Sequence, residues 1–312
     1  MTKPTQRPKN PSRRRALQIL GATALAGWLP KGLGAEPELI RRPIPSTGEK
    51  LPVIGLGTAW AFDVSTDEAE REPLGEVLRR FAAQPGRLLD TSPMYGNAET
   101  VIGDLSAALG NRSSMFLATK VWTKGREEGV RQMEDSLRRL RTDSLDLIQV
   151  HNLVDWRTQL ETLGEWKEQG RVRYLGITHY QTAAYPELDW LMRTETLDFV
   201  QFNYSIATRE AEERLLPLAA DRGIAVIVNR PFEKAALFKR VRGRDLPDWA
   251  QELGCRSWAQ FFLKYIVSHP AVTCAIPSTG NIQHLDDNLQ AGYGPLPDAK
   301  QRKRMVDYLQ SL

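Results

Sequence analysis

The strongest constraint on how this chain folds is a rhythm. Apolar runs at 51–60, 87–90, 115–119, 145–150, 172–177, 199–203, 224–228 and 271–276 each lead into a stretch with the 3.6-residue period of an amphipathic helix. Those stretches are 67–83, 99–109, 125–140, 156–169, 184–193, 210–222, 257–267 and 282–289, with a terminal helix at 298–309. In 125–140, for instance, Val130, Met133, Leu137 and Leu140 share one face. Gly170 and Gly223 stand where helix ends favour a left-handed residue. Apolar strands separated by helices argue for a parallel sheet covered by those helices. Eight such units of about thirty residues fit a closed (β/α)8 TIM barrel. A doubly wound open sheet competes, but it wants a Gly-x-Gly-x-x-Gly turn. Here Gly55-Leu56-Gly57 continues into Thr58-Ala59-Trp60, without the third glycine. Ahead of the first unit, 41–47 and 50–54 flank Gly48-Glu49 as hairpin strands do. A longer insertion at 230–254 interrupts the rhythm, and no linker divides the body, so one domain is expected over residues 36–312.

Charge is distributed unevenly. The chain carries a formal net charge of +4, yet its first 35 residues hold seven basic residues and no acidic one. The remainder is mildly acidic, which lacks the electrostatic footprint of a nucleic-acid binder. Within the basic segment, Ser12-Arg13-Arg14-Arg15 precedes an apolar run at 16–29 and then Gly32-Leu33-Gly34-Ala35. A positive start, a short apolar stretch and small residues at a cleavage point make a signal peptide over residues 1–35. The paired arginines favour the twin-arginine export machinery as a partner and a periplasmic destination. The run is too short and too rich in Gly and Ala for a stable membrane span. The cysteines, Cys255 and Cys274, make no disulfide framework, and no metal site is expected.

Chemistry concentrates at the ends of three successive strands. The second ends at Asp90 with Tyr95 five residues on, the third runs into Lys120, and the fourth ends at His151. In a barrel, the carboxyl ends of strands open into one mouth, so these four side chains converge. Taken singly, each has a structural explanation: a helix cap, a packed ring, a solvated strand end, a satisfied core histidine. Taken together at matched strand ends, they suggest proton transfer to an oxygen. A free phenol titrates near ~10, and a neighbouring ammonium lowers that value by favouring the phenolate. Asp90 would pair with Lys120, and His151 would orient a carbonyl. Trp60, Phe62 and Trp122, just past strands one and three, are candidates for an apolar substrate pocket.

At these residues the sequence resembles the aldo/keto reductase family. Gly55-Leu56-Gly57-Thr58, Asp90-Thr91 with Tyr95-Gly96, Thr119-Lys120, the strand at 146–151, Gly176, Gln201, Ile276-Pro277 and Asn288 carry the resemblance from residue 42 onward. It implies a (β/α)8 barrel whose N-terminal hairpin closes the floor, with a nicotinamide dinucleotide bound in extended form. It also implies Tyr95 as general acid toward an aldehyde or ketone, Lys120 and Asp90 as its tuning pair, and His151 as the orienting group. The cofactor would supply the hydride that no side chain can.

By the same resemblance the cofactor seat comprises Gly57, Thr58, Thr178, His179, Gln201, Asn229, Arg230, Pro231, Phe232, Ile276, Ser278, Thr279, His284, Asp287 and Asn288. Several depart from the family pattern. Thr178-His179 replaces a serine-asparagine pair, and Asn229 or Arg230 falls where an aromatic ring commonly stacks. Arg230 would either lie over the nicotinamide or reach the pyrophosphate. Ser278, Thr279 and His284 replace a lysine-serine pair and an arginine around the adenosine 2′-phosphate, removing two firm cations. Asp287-Asn288 retains the pair that reads adenine. NADP(H) is the first expectation and NAD(H) the second. Two other functions compete: a nucleotide-binding barrel acting as a sensor or partner subunit, and a phosphate-handling isomerase. The turn Asn229-Arg230-Pro231-Phe232 lacks the glycines that the isomerase would need.

Overall fold

A computed structural model describes residues 38–312. The expected signal peptide and its cleavage point near Ala35 lie outside the described residues. After a hairpin of β1 (Arg41–Pro43) and β2 (Lys50–Pro52), strands and helices alternate as far as residue 229; two helices then precede the last strand, and two more follow it. It runs through β3 (Leu56–Gly57), α1 (Glu68–Ala82), β4 (Arg87–Asp90), α2 (Ala98–Leu109), β5 (Met115–Val121), α3 (Arg126–Arg139), β6 (Leu145–His151) and α4 (Trp156–Glu168). It continues with β7 (Val172–His179), α5 (Tyr185–Thr194), β8 (Phe199–Asn203), α6 (Leu215–Arg222), β9 (Ala225–Asn229), α7 (Ala236–Arg240), α8 (Trp258–Val267), β10 (Val272–Ala275), α9 (Ile282–Gln290) and α10 (Ala299–Gln310).

Strands β3 to β10 form one parallel sheet in chain order. Parallel bridges from Ile54 to Ala275 and from Gly57 to Ser278 join its two edges, closing the expected barrel. Gly55 donates to the Ala275 carbonyl at 2.9 Å along this seam. A Cβ at Gly55 would collide with the Leu88 carbonyl oxygen of β4 and crowd Cys274 and Ile276 across the seam at 3.1 Å, so glycine is needed there. The helix ends follow local chemistry. Asp67 caps α1 by accepting from Ala69 N–H, while Gly110 and Gly223 end α2 and α6 with φ of 62° and 66°. Several expectations are shortened. The hairpin strands read at 41–47 and 50–54 span three residues each, and of the run at 51–60 only Leu56–Gly57 is barrel strand. The helix at 210–222 starts only at Leu215, because a single 3-10 turn and Arg214 with φ −142° precede it. The insertion at 230–254 contains the short α7 and a 3-10 turn.

Period-two alternation divides the apolar residues into two sets. Outward-facing strand residues such as Leu89, Leu117, Ile148, Ile177 and Val226 pack with the helices in a large outer cluster. Inward-facing ones, among them Leu88, Phe116, Leu147, Tyr174, Phe199 and Ile227, fill the lumen. Ile44 and Leu51 of the hairpin belong to this inner set and are fully buried. The hairpin therefore closes the end of the barrel where the strands begin. The Tyr174 hydroxyl pins it there, donating to Glu49 Oε2 at 2.7 Å and lying 2.8 Å from Thr47 Oγ1. No helix among the described residues is long and apolar enough to cross a membrane.

Replacing Leu51 by Ala should cost about 2–4 kcal/mol, because the rigid lumen cannot collapse into the space. Urea unfolding measures this, and a loss under ~1 kcal/mol would mean that the hairpin does not plug the floor.

Candidate active site

Each strand's inward-facing series changes from apolar at the floor to polar at the opposite end. Leu88 gives way to Asp90, Ala118 to Lys120, Leu147 to Gln149 and His151, and Phe199 to Gln201. Asp90, Lys120, Gln149, His151, Thr178 and Gln201 are all buried. Parallel register sets Lys120 beside Gln149, His151 beside Thr178, and Thr178 beside Gln201. The three strand-end residues marked in the sequence thus share one chamber.

Lys120 Nζ donates to Asp90 Oδ2 and to the Thr91 carbonyl, both at 2.7 Å. It lies 5.1 Å from the centre of the Tyr95 ring. That ring stands edge-on to His151 at 6.1 Å between centroids. All four predicted residues are therefore brought together. Tyr95 reaches the chamber on a turn that is fixed from both sides. Its N–H bonds Ser92 O at 3.0 Å, and Asn97 N–H bonds the Asp63 carboxylate at 2.9 Å. Gly96 between them has φ 54°, and a Cβ there would meet that carboxylate. Behind the turn, Thr119 Oγ1 donates to the buried Glu99 Oε1 at 2.6 Å, tying α2 to the strand that carries Lys120.

The electrostatics follow from enclosure. Burial alone would pull Lys120 down, but the Asp90 carboxylate and the Tyr95 phenol outweigh it, leaving the ammonium above its ordinary value. Burial likewise lifts Asp90, against the pull of Lys120 and of nearby amide hydrogens. The two groups titrate as a unit, and at neutral pH Nζ keeps its proton. The phenol departs from the sequence-based expectation. Lys120 does draw the Tyr95 pKa downward, yet desolvation outweighs that pull and the net shift is upward. Tyr95 accordingly stays protonated, which is the state a proton donor needs. Burial and then the nearby ammonium push His151 down to about 3, so its imidazole is neutral. Ser92 Oγ accepts from Met94 N–H at 3.2 Å and lies 3.2 Å from His151 Nδ1. With the Ser92 hydroxyl donating to Nδ1, the ring proton sits on Nε2, facing the chamber.

The remaining predicted residues divide into three groups. Gly57 lies in the closing seam, and next to it both the Thr58 amide and its hydroxyl donate to the Asp90 carbonyl of β4, at 3.1 and 3.0 Å. Ser278 Oγ is likewise engaged there, with Ala59 O at 2.9 Å, while Ile276 fills the lumen. Thr178, Gln201 and Asn229 lie at the mouth, and Asn229 Oδ1 is buried without a hydrogen-bond partner. Arg230 stacks on Tyr180, its guanidinium carbon 3.9 Å from the ring centre, and His179 stacks on the same ring at 5.5 Å between centroids. Pro231 follows in that turn, and Phe232 packs on Phe238 at 4.8 Å, among the helices. Thr279 accepts from Asn281 N–H at 3.1 Å, His284 is exposed, and Asn288 is buried. Asp287 is consumed structurally, accepting from Ser257 Oγ and Gln260 Nε2 at 2.6 Å each, beside the start of α8. Of the three pocket aromatics, Trp60 is 75% exposed and Trp122 41%. Phe62 lies instead in the outer packing cluster, fully buried, because the chain turns inward after Trp60. Gln149, Ser92, Glu99 and Met94 escaped the sequence reading, although the alternation of β6 places Gln149 two residues before His151 on the same face.

The model of the aldo/keto reductase family matches residues 53–305. The methylglyoxal reductase YeaE of Escherichia coli is 30% identical over 247 residues, covering 76% of this chain and 84% of that protein. The aldo-keto reductase YhdN of Bacillus subtilis is 32% identical over 204 residues, 59% of this chain and 60% of its own length. A crystal structure of an aldo/keto reductase from Klebsiella pneumoniae in complex with NADP and acetate superposes with a TM-score of 0.71. The identity is 25%, over 84% of this chain and 93% of that one.

The His151 ring should titrate near 3 when followed by NMR, and a midpoint close to the ordinary ~6.5 would contradict the enclosed geometry. The folded protein binds this proton more weakly than the unfolded chain does. His151 therefore withdraws stability as pH falls from ~6.5 through about 3, and His151→Gln should flatten that part of the stability profile.

Proposed function

The chain belongs to the aldo/keto reductase family, and we propose that it reduces the carbonyl group of an aldehyde or ketone to an alcohol with NAD(P)H. The observation that carries this reading is a buried ammonium, anchored by a carboxylate, held against a protonated phenol beside a neutral imidazole. When bound, the reduced nicotinamide supplies a hydride to the carbonyl carbon. Tyr95 gives its proton to the carbonyl oxygen as charge gathers there. Lys120 stabilises the phenolate left behind, and Asp90 keeps the ammonium in place. Nε2–H of His151 holds the oxygen in line. A sensor with little turnover has no use for such a pair, so that alternative is not favoured.

The residues fit the nicotinamide end of the cofactor. The Thr178 hydroxyl and the Gln201 amide sit on paired strands, and the orphaned Asn229 Oδ1 offers an acceptor for a carboxamide N–H. At the adenosine end, Ser278, Thr279 and His284 supply no fixed cation for a 2′-phosphate. The NADP complex of the Klebsiella relative favours NADP(H), and these neutral residues argue for use of NAD(H) as well. Trp60, Met94 and Trp122, all exposed among the loops at the mouth, suit a carbonyl compound with an apolar side. Methylglyoxal is the first test substrate, after the name of the Escherichia coli relative.

Tyr95→Phe should abolish NADPH oxidation with methylglyoxal or a generic aldehyde while leaving cofactor affinity within about twofold. Retained turnover would remove Tyr95 as the acid. Wild-type protein that binds neither NADPH nor NADH would remove the reductase reading itself.

Export is the second part of the proposal. Arg13-Arg14 and the apolar run behind them support passage by the twin-arginine route, which moves folded proteins, so a bound nucleotide could travel with the chain. Mass analysis of exported protein should find a new N-terminus near Ala35 together with nicotinamide dinucleotide. An intact Met1 on exported protein would refute the signal.

A further inference from the structure

We propose that Gln149 is a positioning residue that couples the seat of the nicotinamide, at Gln201, to the Asp90–Lys120 pair. The proposal rests on the reductase reading and adds to it a residue outside the four that converge on the reacting oxygen.

Gln149 is fully buried on β6, facing the lumen between Leu147 and His151. A primary amide is an expensive choice for that place. A leucine or methionine would fill a similar volume with no polar group to satisfy, and the Gln149 carbonyl oxygen Oε1 has no hydrogen-bond partner at all. The end that is used is the nitrogen. Nε2 donates to Gln201 Oε1 at 2.9 Å and lies 3.4 Å from Asp90 Oδ1. Its two hydrogens therefore fork between two residues with different duties. Toward Asp90, the fork serves the carboxylate oxygen that Lys120 leaves free, since Lys120 holds Oδ2. Toward Gln201, it commits the amide oxygen to the lumen and leaves that side chain only N–H groups to offer elsewhere. A Gln201 fixed in this way presents one orientation to the carboxamide it seats. Cofactor placement and the charge on the pair beneath it thus share one amide.

The test uses the full chain with Gln149→Met, which keeps volume and removes the amide, and Gln149→Asn, which keeps the amide but shortens its reach. NADPH affinity is read by quenching of protein fluorescence, kcat across pH by NADPH oxidation, and folding by Tm. Either variant should weaken NADPH binding by about fivefold, roughly 1 kcal/mol. Each should also move the alkaline limb of the kcat profile to higher pH, because without its amide donor the Asp90 carboxylate is left less stabilised once Lys120 loses its proton. Should the methionine variant fail to fold, the asparagine variant decides by the same two readouts. A lowered Tm with unchanged NADPH affinity and an unmoved pH limb would show a purely structural role and overturn the coupling, as would wild-type behaviour throughout. The reductase reading fails differently, through a wild-type protein that neither binds nor oxidises NADPH.

Discussion

A carboxylate and an ammonium 2.7 Å apart, both shut away from water, are what the barrel is arranged around. Stability does not explain them. Removing two ions from water costs several kcal/mol each, and well-packed apolar residues of similar volume commonly do as well or better. Breaking the pair is another matter, since a lone buried charge costs about 3–5 kcal/mol. The surroundings are built accordingly. Thr58 ties the β3 end to the Asp90 backbone, the Thr91 carbonyl takes a second ammonium hydrogen, and Gln149 serves the free carboxylate oxygen. An ion pair that contributes little to folding but is held from so many directions is retained for chemistry.

Enclosure also decides which electrostatic effect wins. Lys120 acts on both Tyr95 and His151, favouring the phenolate and disfavouring the imidazolium. For the histidine, burial acts in the same direction, and the ring is neutral. For the tyrosine, burial opposes the ammonium and prevails, so the resting phenol keeps its proton. The ammonium therefore works as a field that becomes useful while the proton is leaving, when the same burial that raised the phenol strengthens the attraction to Lys120.

The mouth carries its own sign of function. Of the nine non-glycine residues with positive φ among the described residues, eight lie in three loops. Trp60 follows β3, Asn152, Leu153 and Asp155 follow β6, and Arg230, Glu233, Lys234 and Ala235 follow β9. Such conformations cost roughly 1–3 kcal/mol each and persist only where neighbours over-determine them. Some of the restraints are visible. Asp155 Oδ2 accepts from Gly125 N–H at 2.7 Å, Glu233 Oε1 accepts from Ser205 Oγ at 2.6 Å, and Asn152 N–H bonds the Thr178 carbonyl at 2.8 Å. Strain of this kind collects where loops must present groups to a ligand, at the opposite end of the barrel from the relaxed hairpin floor.

The fold and the four converging side chains were legible in the chain because both depend on short-range pattern. Helical and strand periods, helix-ending glycines and a polar residue at the close of an apolar run are local properties, and parallel strands in chain order turn strand ends into neighbours. What distance in the sequence conceals had to wait for the closed barrel. Phe62 is packing and not pocket wall, Asp287 is spent on the start of a neighbouring helix, and Gln149 bridges two strands that lie on either side of its own. The phenol shifts up where its neighbour alone would take it down. Each of these depends on how completely eight strands and their helices exclude water from a given atom, and desolvation is set by the whole enclosure, to which every part of the chain contributes.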